Sequence, residues 1–226
     1  MKVLLFDIDG TLVLSGGAGA RAMSRAFEAV FGVPEALTGI SMNGRTDTWI
    51  VTQLSARHGI ATDADSLRRF HDSYVSLLAE EIQQPGPRKG VMPGVPALLE
   101  ALSRRDDVYV ALLTGNFEAG ARIKLDYFDL WRYFGGGAFG DNAPERNPLL
   151  PKALSAIQAR GCPSVHPSDV IVIGDTPHDV AVAVAHRARS IAVATGGHDM
   201  AELGESGADC VLPDLSDVDA VLQAIF

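Results

Sequence analysis

The chain has 226 residues, 47% of them hydrophobic and 21% charged, with 28 acidic against 19 basic residues and a formal net charge of -9. That composition excludes a disordered chain and leaves room for one large domain, or for a domain of about 150 residues carrying a smaller one. The acidic balance argues against a nucleic-acid backbone or an anionic membrane surface as the partner, although a metal and a few basic groups can reverse the field locally for a phosphate.

The first predicted element is a short apolar strand, Leu4-Leu5-Phe6, that stops at Asp7-Ile8-Asp9-Gly10-Thr11-Leu12. Strand alternation places Asp7 and Asp9 on one side, with Ile8 turned away. Two neighbouring carboxylates can hold a hard divalent cation, and one can attack an electrophile while the other handles protons. Ser15-Gly16-Gly17-Ala18-Gly19 follows as a hinge-like small-residue loop. Apolar residues then recur at helical spacing over about 20–31, 47–58 and 63–83, closed by Pro85-Gly86-Pro87. Residues 17–88 are therefore expected to form an all-helical insertion with no strand.

From Gly90 the pattern becomes alternating. A helix is expected to about Arg104, a strand over Val108–Leu113 ending at Thr114-Gly115-Asn116, and a helix to about Asp126. A weak strand at 136–139 comes next, its run of Gly135-Gly136-Gly137 suited to close backbone packing, and then a helix over about 149–160. The strand Val170–Ile173 ends at Gly174-Asp175-Thr176-Pro177-His178-Asp179 and leads into a helix to about Arg187. A strand at 190–194, a short helix near 200, a strand near 210–212 and a final helix complete the order. Continuous apolar strands alternating with helices predict a three-layer, Rossmann-like α/β core with a parallel sheet, built from 1–16 and 89–226. Ligands of such sheets sit beyond the carboxyl ends of the strands, where strand order reverses. Asp7 and Asp9, Thr114, and Asp175 all end apolar strands, so they are expected to converge on one crevice.

That crevice suits a phosphate ester. A carboxylate ~4 Å from a charged phosphoryl oxygen is repelled by roughly 4 kcal/mol at an effective dielectric of 20, so it needs a cation. Mg²⁺ between Asp7, Asp175 and the phosphate, with the backbone carbonyl of Asp9 as a further ligand, meets that need. The hydroxyl of Thr114 and the amides of Gly115 and Asn116 can bind a phosphate oxygen, and Arg146 or Lys152 can supply a positive side chain.

Asp7-Ile8-Asp9-Gly10-Thr11-Leu12, Leu113-Thr114-Gly115-Asn116 and Gly174-Asp175-Thr176-Pro177-His178-Asp179 closely resemble three of the four motifs of the haloacid dehalogenase-like superfamily of phosphohydrolases. The insertion at 17–88 resembles the four-helix cap of its phosphoglycolate phosphatase-like members. The resemblance implies Asp7 as the nucleophile that becomes an aspartyl phosphate. It implies Asp9 as acid toward the leaving alcohol and then base for water, Thr114 as phosphate ligand, and Asp175 as metal carboxylate. Asp179 is either a further metal acid or a helix N-terminal acid favoured by the dipole. The third motif departs from the usual Lys-Pro pattern and reads Glu145-Arg146-Asn147-Pro148-Leu149-Leu150-Pro151-Lys152. Counting back from the helix end favours Arg146, since Lys152 would fall inside the helix. Arg45, in the cap loop Asn43-Gly44-Arg45-Thr46-Asp47, is a candidate for holding a substrate carboxylate, against the alternative of a helix-capping loop.

The resemblance implies a Mg²⁺-dependent phosphatase for a small phosphorylated metabolite, 2-phosphoglycolate or a sugar phosphate, acting under a mobile cap. A mutase of the β-phosphoglucomutase type and a phosphoryl-accepting regulatory module without turnover are the alternatives. Cys162 and Cys210 are far apart with no metal-type spacing, so reduced thiols in a cytoplasmic protein are expected, as monomer or homodimer. No apolar run reaches the ~20 residues that span a bilayer, so no membrane partner is expected. His58, His71, His166, His186 and His198 show no ligand spacing, His178 lies inside the last of these motifs with no evident contact to substrate or metal, and Trp49 and Trp131 are expected to pack.

Overall fold

The computed structural model describes all 226 residues. In chain order the elements are β1 (Lys2–Phe6), β2 (Val13–Leu14), α1 (Ala18–Phe31), α2 (Asp47–Arg57), α3 (Ala64–Glu81), β3 (Gly90–Val91), α4 (Val95–Ser103), β4 (Val108–Leu113), α5 (Glu118–Tyr127), β5 (Gly137–Ala138), α6 (Leu149–Gln158), β6 (Val170–Gly174), α7 (Pro177–Ala185), β7 (Arg189–Val193), α8 (Met200–Glu205), β8 (Cys210–Leu212) and α9 (Val218–Ile225). Six strands form one parallel sheet in the order β5-β4-β1-β6-β7-β8. Strand β1 lies at its centre, with the chain continuing to β4 on one side and β6 on the other, so the reversal of strand order falls at the tip of β1.

Alternation along β1 explains why both faces are covered. Leu4 and Phe6 point into a cluster with Val95, Leu98, Leu125 and Ile225, whereas Val3 and Leu5 pack with Leu149, Ala153, Ile157 and Val182. A strand buried on both faces requires the continuous apolar run that the sequence shows. Ile8 also enters the core, which leaves Asp7 and Asp9 to face the crevice. Gly137 sits where a Cβ would lie 2.2 Å from the carbonyl of Leu112, which accounts for close packing in the glycine run.

Helices α1, α2 and α3 have a core of their own, in which Phe27, Ile50, Leu54, Phe70, Tyr74 and Leu78 meet, with Phe117 added from the sheet side. One expectation for this insertion is corrected: it has three α-helices rather than four, because Pro34 and Gly39 bracket a stretch that makes only turns. No strand falls within 17–88; just outside it β2 and β3 form an antiparallel ribbon, Val13 opposite Val91 and Leu14 opposite Gly90, where the chain leaves and re-enters the sheet region. Helix α3 starts with a full capping box between Asp63 and Ser66, and α2 starts at Thr46, whose hydroxyl accepts from the Trp49 amide. No helix is long and apolar enough to cross a membrane. Both cysteines are free.

Candidate active site

The three central strands end side by side, and the polar residues after them meet. Asp7 follows β1 and is tied in place by its amide, which donates to the carbonyl of Ile173 at 2.9 Å. Asp175 follows β6 and accepts from the Thr11 hydroxyl at 3.0 Å. Gly10 between them has φ +85°, and a Cβ there would lie 2.4 Å from an Asp175 oxygen, so only glycine allows the loop to pass. Asp179 sits in the first turn of α7 and completes a capping box with Thr176, accepting from its amide at 3.1 Å and its hydroxyl at 2.7 Å. Asp179 thus caps the helix and lies beside Asp7 and Asp175.

Oxygens of Asp7, Asp175 and Asp179 all lie within 4.8 Å of one another, and the three residues are buried. Arg146 reaches between them, 3.1 Å from Asp7 and 2.5 Å from Asp179, with only 8% of its side chain exposed. One guanidinium does not balance three carboxylates. Burial, followed by Asp179 and Asp9 against the opposing pull of Arg146, pushes the Asp7 carboxyl up to about 6. Burial, then repulsion from Asp7 and Asp179, pushes Asp175 up to about 8. Burial works against the charge on Arg146, but Asp179 and Asp7 more than restore it and hold its pKa above the ordinary value. An all-oxygen set with this surplus of negative charge fits a hard divalent cation. Lys152, by contrast, lies exposed on α6 and takes no part in the site.

Asp9 points elsewhere. Its Oδ2 accepts from Lys124 Nζ at 2.6 Å and from Asn116 Nδ2 at 2.9 Å, a network separate from the acid cluster. Thr114 is fully buried at the tip of β4, its hydroxyl engaged by Asn116 at 2.8 Å, while Gly115 and Asn116 line the cavity. The cavity measures about 280 Å³, with Asp7, Asp9, Asp47, Asp175, Arg45, Arg88, Lys124 and Arg146 as its charged lining. Arg45 reaches it from the cap loop and stacks 4.5 Å over the Trp49 ring, which is therefore a packing platform.

Three residues at the start of α2 fasten the insertion to the sheet domain. Thr46 Oγ1 donates to Ala143 at 2.5 Å and Thr48 Oγ1 to Gly140 at 2.6 Å. Asp47 donates through its amide to Gly115 at 2.7 Å and accepts from the Phe117 amide at 2.9 Å. Burial raises the Asp47 carboxyl to about 7 against the opposing effects of Lys124 and the Phe117 amide. Gly115 permits this seam, since a Cβ there would lie 2.1 Å from the backbone carbonyl of Arg45. Gly115→Ala is expected to push the helical insertion away from the sheet, lowering stability by about 1–3 kcal/mol in thermal melts and turnover at least tenfold. His71 adds an imidazole 3.7 Å from Asp141, and His178 packs against the loop at Gly44.

A buried acid cluster at the strand-order reversal of a doubly covered parallel sheet, closed over by a helical insertion, defines the class: an α/β enzyme whose site is made by strand-end loops. The chain belongs to the haloacid dehalogenase-like hydrolases, whose family profile matches residues 4–183. It is 28% identical over 222 residues to phosphoglycolate phosphatase 1 of Pseudomonas aeruginosa, covering 96% of this chain and 78% of that protein. It is also 28% identical over 219 residues to phosphoglycolate phosphatase of Rhodospirillum rubrum, covering 95% and 88%. Among solved structures, a hydrolase from Pseudomonas syringae superposes with a TM-score of 0.73 at 23% identity, covering 100% and 99% of the two chains. CbbY from Rhodobacter sphaeroides in complex with phosphate superposes with a TM-score of 0.68 at 22% identity, covering 96% of each. At these identities the structural likeness speaks for the fold.

Proposed function

We propose that the chain is a Mg²⁺-dependent phosphatase for a small phosphorylated metabolite, 2-phosphoglycolate or a sugar phosphate, with residues 17–88 as its cap. The observation that carries this reading is the pairing of two differently served carboxylates in one small cavity. Asp7 lies in the acid cluster against Arg146, and Asp9 lies beside it in a separate network with Lys124 and Asn116. Relatives named phosphoglycolate phosphatase support the substrate class.

Asp7, Asp175, Asp179 and the backbone carbonyl of Asp9 would hold the Mg²⁺, which cancels the repulsion between carboxylate and phosphate. A carboxylate oxygen of Asp7 then attacks phosphorus as the bond to the alcohol oxygen breaks, and Asp9 gives that oxygen its proton. In the second half Asp9 takes a proton from water, the water oxygen bonds to phosphorus, and the Asp7 carboxylate leaves with orthophosphate released. Arg146 neutralises the transferring group, and its Nε, buried without a partner in the protein, gains an acceptor when an anion binds. Backbone amides at Gly115 and Asn116, beside Thr114, orient a further phosphate oxygen. The cavity of about 280 Å³ admits a metabolite and excludes a polymer. A screen of phosphorylated metabolites with and without Mg²⁺ tests this directly. Release of inorganic phosphate from a small alkyl phosphate is expected, and isomerised sugar phosphate without release would mark a mutase instead.

A further inference from the structure

Lys124 enters none of the four motifs, yet it is the most deeply placed ammonium beside the cavity. It lies on the inner face of α5 with Gly120, Ala121 and Leu125, and only 5% of its side chain is exposed. Removing an ammonium from water costs several kcal/mol unless it is paired and hydrogen-bonded. Here the pairing is short and has one direction. Nζ donates to Asp9 Oδ2 at 2.6 Å and to Asn116 Oδ1 at 2.7 Å, while Asn116 Nδ2 donates to the same Asp9 oxygen at 2.9 Å and to Thr114 Oγ1 at 2.8 Å. The closed triangle of Lys124, Asn116 and Asp9 fixes Oδ2 and leaves Oδ1 of Asp9 with no protein partner.

The insertion shapes this pocket from above. A Cβ at Gly19 of α1 would lie 3.3 Å from Lys124 Nζ and 3.8 Å from the Tyr74 hydroxyl of α3, so the ammonium sits against the seam between the two domains. Asp9 itself follows β1 on a loop and keeps 41% of its side chain exposed, and a carboxylate on a loop has several rotamers to choose from. We propose that Lys124 is the positioning residue for Asp9, holding Oδ2 so that Oδ1 alone is presented to the leaving oxygen of the substrate. The proposal rests on reading Asp9 as the proton donor to that oxygen.

Leaving groups separate this role from a structural one. An alkoxide needs a proton as it departs and a nitrophenolate does not, and kcat/KM reports the steps up to that departure. The full-length protein with Mg²⁺ is assayed on p-nitrophenyl phosphate and on the alkyl phosphate that turns over fastest, for the native chain, Lys124→Met and Asp9→Asn. Lys124→Met is expected to lose about 10²-fold in kcat/KM on the alkyl ester and at least tenfold less on the aryl ester, in the pattern of Asp9→Asn. Lys124→Ala is expected to recover part of its alkyl-ester activity when ethylammonium is added, which keeps the test available should the methionine variant fold poorly. Equal losses on both esters for Lys124→Met, while Asp9→Asn still discriminates, overturn the role of Lys124 alone. The same follows for Lys124→Ala if the amine restores nothing. Equal losses for Asp9→Asn overturn the reading of Asp9 and the proposal with it.

Discussion

Asp7→Asn is expected to remove at least about 10³-fold of the rate of phosphate release while leaving a folded chain, because an amide oxygen cannot form and later leave an acyl phosphate. The substitution is nearly isosteric, and the new carbonyl can still accept from Arg146, which lies 3.1 Å from the native carboxylate. Neither the sheet nor its two cores should notice. The amide of residue 7 keeps its bond to Ile173, and Ile8 stays in the core. The protein should melt no lower than the native chain in the absence of metal, since one of three crowded acids has lost its charge. Initial rates of phosphate release beside a thermal melt check both halves. A variant that still turns over at the native rate would move the nucleophile away from the tip of β1, and the arrangement around it would need another chemistry.

The parts of this fold that were legible in the sequence are those where one residue type serves one physical purpose. Apolar runs that stop at acids, threonine and glycine mark central strands and their tips, and the structure brings Asp7, Thr114 and Asp175 to one edge of the sheet as that pattern implies. Arg146 stands before α6 and reaches Asp7 and Asp179, whereas Lys152, within the helix, faces solvent. The ribbon of β2 and β3 was not legible, because two residues per strand are too few to show a period. The missing fourth helix was a matter of Pro34 and Gly39, which outweigh the apolar residues between them. Lys124 was overlooked although it left a trace. A lysine placed four residues after Gly120 and three after Ala121, and just before Leu125, occupies the inward face of a helix. A charge on that face is expensive to bury, and the expense itself points to a partner such as Asp9. Asp47 carried the same kind of sign, as an acid placed between Thr46 and the apolar run of α2, but its partners, Gly115 and Phe117, are far away in sequence.

Asp175→Asn is expected to do two opposite things, and the sign of each follows from the acid cluster. The Asp175 carboxyl has an ordinary value of 3.8 and a folded value of about 8, raised by burial and then by Asp7 and Asp179. Between those values the unfolded chain has released a proton that the folded chain still holds, so stability falls as pH rises from about 4 to about 8 and then levels off. Asp7 adds a shorter slope of the same sign, from 3.8 to about 6. In chelator the native protein should therefore melt lower at pH 8 than at pH 5. Asparagine keeps an acceptor for Thr11 but cannot ionise, which removes the larger part of the slope. The variant should melt about 4–8 °C above the native chain at pH 8 without metal, as expected for about 2 kcal/mol in a chain of this size. Adding Mg²⁺ should reverse the order: the native chain gains stability because the cation binds the ionised cluster, and the variant, with one acid fewer, gains little. Turnover should fall by at least about 10²-fold in the variant, so the more stable metal-free protein is the less active one. A native chain whose melting point is indifferent to Mg²⁺ at pH 8 would mean that Arg146 alone balances the three acids, and the strand tips would then be a salt-bridge network.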